Sequence, residues 1–94
     1  MKIITWNVNG VRAVERKKEL QNLVDSENPD VLMLQETKGN PDQFSKYLTE
    51  NPVYQQHYAS AEKAGYAGTG IWIRHDLANN VGNLTFSPDL PDNP

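Results

Sequence analysis

The sequence predicts an α/β fold built on a mixed β-sheet. Three observations predict it. Short runs rich in β-branched and aromatic residues recur along the chain; the first two are separated by a segment of helical periodicity; the last two are separated only by a glycine-bearing loop. Strands joined through a helix run parallel with a right-handed crossover, whereas strands joined by a loop are expected to pair antiparallel. The element order is β-α-β-α-β-β, the pattern of layered α/β folds.

Each element follows from its residues. Lys2 to Asn9 ("KIITWNVN") reads as the first strand. Ala13 to Glu27 reads as an amphipathic helix with Val14, Leu20, Leu23 and Val24 near one face, ended by Asn28-Pro29 because a residue before proline is pushed out of the helical region. Val31 to Gln35 is the second strand. Asn40-Pro41-Asp42 opens a short helix running to about Leu48: Asn40 can cap it, Pro41 suits its first turn and Asp42 complements its dipole. Val53 to Ser60 is the third strand, "AEKAGYAG" the loop, and Thr69 to Arg74 ("TGIWIR") the fourth strand. The tail "SPDLPDNP" is turn-rich and aperiodic. Trp6 and Trp72 read as core residues, and His57 and His75 as surface or satisfied histidines.

Composition narrows the function. The 94 residues allow one domain, 37% of them are hydrophobic, and there is no cysteine, which excludes disulfide scaffolds and zinc–thiolate sites. No apolar run approaches the ~20 residues of a membrane helix, and Lys2 leads into a strand rather than a signal peptide. A soluble, cytoplasmic protein without membrane association is expected. The net charge of −3 argues against a wholly basic nucleic-acid coat protein. Yet "RAVERKK" gathers Arg12, Arg16, Lys17 and Lys18 against Glu15 alone, and local sign governs attraction to phosphates.

Parallel first and second strands would bring their carboxyl ends about 4.8 Å apart. Asn7 and Asn9 share a face at one end, and Glu36 follows the other. A carboxylate with neutral amide oxygens suits a hard cation, magnesium or manganese, which retains water and can take a substrate phosphate. The rim of an open α/β sheet is where ligands bind. From pattern alone, a solvated strand-boundary carboxylate explains Glu36 better, and Asn9-Gly10 is a common turn dipeptide.

Three blocks shift that balance. "TWNVNGVRA" at Thr5–Ala13, "LQETK" at Leu34–Lys38 and "KAGYAGTGIW" at Lys63–Trp72 resemble, in order, signature blocks of exonuclease III-type apurinic/apyrimidinic endonucleases of the endonuclease/exonuclease/phosphatase superfamily. The resemblance implies a four-layer α/β sandwich, magnesium-dependent phosphodiester hydrolysis and action on double-stranded DNA at abasic sites or 3′ ends. It makes Glu36 the metal-binding glutamate and Asn7 its active-site neighbour. Asn9 falls where some members carry aspartate; uncharged here, it suits an outer-shell role. Gly10, Arg12 and Lys17 match a segment facing the DNA backbone, and Gly65, Tyr66 and Gly68 match a loop approaching the duplex.

The family's water-orienting and charge-stabilising groups lie downstream of these blocks. The chain is therefore expected to be the N-terminal portion of a larger domain, inactive alone, with a sheet face exposed where the missing half packs and through which it could associate. Two other functions stay open: a phosphatase or phosphodiesterase acting on lipid or inositol phosphates, and a non-catalytic DNA-binding module.

Overall fold

A computed structural model describes residues 1–60 and 68–81 of the chain. Its strands are β1 (Ile3–Asn7), β2 (Val31–Gln35), β3 (Tyr54–Ser60) and β4 (Gly68–Arg74), in the sheet order β1-β2-β4-β3. β1 and β2 are parallel, from Ile3 opposite Val31 to Asn7 opposite Gln35. β4 runs antiparallel to both β2 and β3. The sheet is thus mixed, as the connections require.

The crossover between β1 and β2 is two helices, not one. α1 (Val11–Arg16) and α2 (Glu19–Glu27) are separated at Lys18, whose φ is +64°. The apolar residues explain the break. At ~100° per residue, Val14 and Leu20 on one continuous helix would face directions about 120° apart. The left-handed residue re-phases the chain, so that Val11 and Val14 of α1 and Leu20 and Val24 of α2 all reach the core. The first strand is also shorter than its pattern suggests, because Asn9 turns into the left-handed region with φ +48°.

Asn40 caps its turn as expected, its side-chain oxygen accepting the Asp42 N–H at 3.0 Å, with Pro41 first in line. That turn is a single 3₁₀ stretch, Pro41–Gln43, and Phe44 returns to extended backbone before α3 (Lys46–Thr49). α4 (His75–Val81) follows β4 directly, where the sequence pattern gave no helix.

One face of the sheet carries the core. Leu32, Leu34 and Trp72 pack with Val11, Val14, Leu20, Val24, Leu48 and Tyr54. Trp72 is fully buried, and its indole N–H donates to the Tyr58 hydroxyl, which donates to the Leu48 carbonyl. Trp6 is half-buried and packs against the cluster rather than within it. On the opposite face Ile3 is 54% exposed, and Val31, Met33 and Ile71 are only half-buried. No helix among the described residues is long and apolar enough to cross a membrane.

Candidate active site

The parallel pairing of β1 and β2 does not stop at the strand ends. Beyond the Asn7–Gln35 pair, Val8 N–H donates to the Gln35 carbonyl at 3.0 Å, Gly10 N–H to Glu36 at 2.8 Å and Val11 N–H to Thr37 at 2.9 Å. Thr37 N–H in turn donates to the Gly68 carbonyl at the start of β4. Glu36 therefore sits in backbone held from both sides. Of the eight described residues with positive φ, six lie at this rim: Asn9, Gly10, Glu36, Lys38, Gly39 and Gly68. A non-glycine residue in this region costs energy and persists only where its surroundings over-determine it, a pattern that collects at functional sites.

Asn7 connects the two strand ends through its side chain. Its Oδ1 accepts the Asn9 N–H at 3.1 Å, which fixes the amide orientation. Its Nδ2 then faces Glu36 and donates to Oε2 at 2.7 Å, a charge-assisted bond. The other carboxylate oxygen, Oε1, has no hydrogen-bond partner among the described residues. The left-handed turn at Asn9 takes its side chain out of the strand's alternation, and its Oδ1 receives Lys38 Nζ at 2.5 Å. The rim thus holds a half-buried carboxylate oriented by one asparagine and an ammonium group held by another.

Beside it lies an open groove of about 450 Å³, lined by Gly10, Arg12, Ala13, Arg16, Thr37 and Lys38. Three cations and no carboxylate line it. Lys17, by contrast, is exposed at the end of α1 and does not line the groove. Gly68 is buried, and a β-carbon on it would stand 2.8 Å from Thr37 Oγ1, so its contribution here is to let β4 close on the rim. Gly65 and Tyr66 lie outside the described residues.

Residues 4–93 match the endonuclease/exonuclease/phosphatase family. The chain belongs to that family. It is 45% identical over 71 residues to a DNA-(apurinic or apyrimidinic site) endonuclease of Dictyostelium discoideum, covering 76% of this chain and 19% of the relative. It is 38% identical over 76 residues to an exodeoxyribonuclease of Bacillus subtilis, covering 81% of this chain and 29% of the relative. A 3′ phosphatase from Neisseria, solved bound to a product DNA hairpin, superimposes with a TM-score of 0.66 at 32% identity over 79% of this chain and 27% of that one. The chain spans less than a third of the length of these family members.

Within the family frame, Arg16, named in the sequence only as part of the basic run, lines the groove, and the residues that sequence reasoning did not single out are Thr37, Lys38 and Gly39. Lys38 stands inside the "LQETK" block, but its meeting with Asn9 depends on two left-handed turns, at residues 9 and 38, that strand alternation cannot reveal. Among the described residues no three His, Cys, Asp or Glu side chains cluster to hold a metal ion. The donors on offer are Glu36 Oε1 and the amide oxygens of Asn7 and Asn9, both already accepting one hydrogen bond. Such a sparse set of hard oxygen donors fits a cation that keeps several waters, as magnesium does.

Proposed function

We propose that this chain forms the cation-holding rim of a DNA-repair phosphodiesterase, hydrolysing duplex DNA at abasic sites or 3′ ends. The observation that carries the reading is the 2.7 Å bond from Asn7 to Glu36, which unites the ends of two parallel strands around one oriented carboxylate. Glu36 would hold a magnesium or manganese ion, with Asn7 fixing the carboxylate and Asn9 in the outer shell. When bound, that ion would supply charge neutralisation at a phosphate oxygen. The neighbouring cations Arg12, Arg16 and Lys38 would seat the DNA backbone, which positions without reading sequence. The activities named for the Dictyostelium and Bacillus relatives, and the DNA hairpin in the Neisseria structure, support a nucleic-acid substrate.

Cleavage also needs a group to activate water, and the described rim offers a single carboxylate for the whole task. The chain alone is therefore proposed to bind duplex DNA without cutting it. A chimera tests the assignment: the matching segment of the Bacillus subtilis exodeoxyribonuclease is replaced by this chain. Metal-dependent cleavage of an abasic duplex is expected from the chimera and should disappear with Glu36→Gln. Retained cleavage in the Gln variant would refute the role of Glu36. Preference for a phosphoinositide over abasic DNA in a competition assay would instead favour a lipid-phosphate phosphatase.

A further inference from the structure

Arg12 presents its guanidinium to the groove without being held there by charge. It makes no hydrogen bond or ion pair with any described residue. Its exposed side chain lies over the bare backbone of Gly39 instead. A β-carbon placed on Gly39 would stand 2.8 Å from Arg12 Nη2, 3.2 Å from Cζ and 3.3 Å from Nε. The guanidinium thus fills the volume that any other residue's side chain would need at position 39. Gly39 also has φ +78°, a conformation that glycine adopts without steric cost.

We infer that Gly39 is a positioning residue for Arg12: its bare backbone lets the guanidinium lie against the β2 rim, pre-placed as the groove's phosphate-facing cation. This deepens the nucleic-acid reading of the groove and rests on it. The energetic logic is preorganisation. A long side chain ordered before the ligand arrives does not spend its rotamer entropy on binding. The atoms that a β-carbon would meet are the far end of a flexible side chain, not backbone. A substitution at 39 therefore displaces Arg12 and leaves the surrounding packing in place, apart from the backbone strain at positive φ.

Two substitutions separate these effects. Gly39→Ala introduces both a β-carbon and left-handed strain, whereas Gly39→Asn introduces the β-carbon at a residue that tolerates the left-handed region. The 94-residue chain is titrated with a short fluorescein-labelled DNA duplex across a salt series, and thermal unfolding of each variant is followed separately. Arg12→Ala should flatten the dependence of log affinity on log salt by about 0.9, the change expected for one lost phosphate contact. Both Gly39 variants should show the same flattening, and neither should weaken binding further when combined with Arg12→Ala. Gly39 variants that bind like the unmodified chain, or whose losses add in full to that of Arg12→Ala, would overturn the inference. A nuclear Overhauser contact between Arg12 Hε and Gly39 Hα reads the placement without DNA; it is expected in the unmodified chain, and its absence would also overturn the inference. If that contact is present but no salt-sensitive DNA binding occurs, the positioning stands and the nucleic-acid reading of the groove falls.

Discussion

Asn7 is the residue on which the site's geometry turns, because both ends of its amide are committed. The Asn9 N–H holds its oxygen and the Glu36 carboxylate takes its N–H, so the side chain transmits the backbone turn at Asn9 to the carboxylate. Outer-shell partners of this kind typically set metal affinity by about 10- to 100-fold. Asn7→Ala should weaken manganese binding by that range without unfolding the chain, since Asn7 is exposed. Titration of manganese by electron paramagnetic resonance measures it. Equal affinity in both proteins would show that Glu36 needs no orientation. Gly68 is the complementary case, a residue that matters by lacking a side chain. Gly68→Ala would set a β-carbon 2.8 Å from Thr37 Oγ1 and 3.3 Å from the Ala59 carbonyl at φ +124°. Denaturant unfolding should register a loss of about 1–3 kcal/mol, the usual cost of forcing a non-glycine residue into such a conformation.

At the scale of elements, β3 and β4 are fastened by an aromatic chain. Tyr58 accepts the Trp72 indole N–H at 3.0 Å and donates to the Leu48 carbonyl at 2.7 Å, tying both strands to α3. Tyr58→Phe leaves that N–H and that carbonyl without partners and should cost about 1–3 kcal/mol in denaturant unfolding. A near-zero cost would mean that water replaces the hydroxyl. The same phenol links stability to pH. Burial raises its pKa well above the ordinary tyrosine value, the hydrogen bond from Trp72 opposing the shift only in part. Burial likewise raises Tyr47 and Tyr54, with Asp25 adding to the rise at Tyr47 and Arg74 opposing it at Tyr54. A raised folded pKa gives stability that is fully present below the unfolded value of about 10 and is lost as pH climbs above it. Unfolding midpoints should accordingly fall as pH rises above about 10, less steeply in Tyr58→Phe.

Elements were also where the sequence was most and least legible. β2 was legible to the residue, because its four consecutive apolar residues are bounded by polar ones, although only Leu32 and Leu34 are buried by the described residues. The pairing of β1 with β2, and hence the meeting of Asn7 with Glu36, followed from the crossover rule. The break at Lys18 was not legible locally: lysine carries no turn preference, and only the demand that Val14 and Leu20 reach one core forces it. The rim contacts of Lys38 and Arg12 were hidden for a related reason, since left-handed turns reset the side-chain alternation on which pattern reading depends.

For the whole molecule, the asymmetry of the sheet matters most. One face is sealed by helices, while the other presents Ile3, Val31, Met33 and Ile71 with no described element fully covering them, and β1 is an edge strand of the sheet that the described residues form. An apolar sheet face of this kind calls for a covering layer. The second sheet of a four-layer sandwich is the proposed cover, consistent with family relatives several times longer than this chain. The 94-residue chain should bind a hydrophobic dye, and Met33→Glu combined with Ile71→Glu should abolish the signal. A chain that binds no dye would contradict an uncovered face.

The central claim, that Asn7 and Glu36 together form half of a hard-cation site, is tested most directly by paramagnetic broadening. Trace manganese added to the isotope-labelled chain should selectively erase the Asn7 side-chain amide and the Glu36 backbone resonances, with Asn9 next, and Glu36→Gln should restore them. Broadening centred elsewhere, such as on the surface carboxylates of Glu27 or Asp76, with the Asn7 amide untouched, would contradict it.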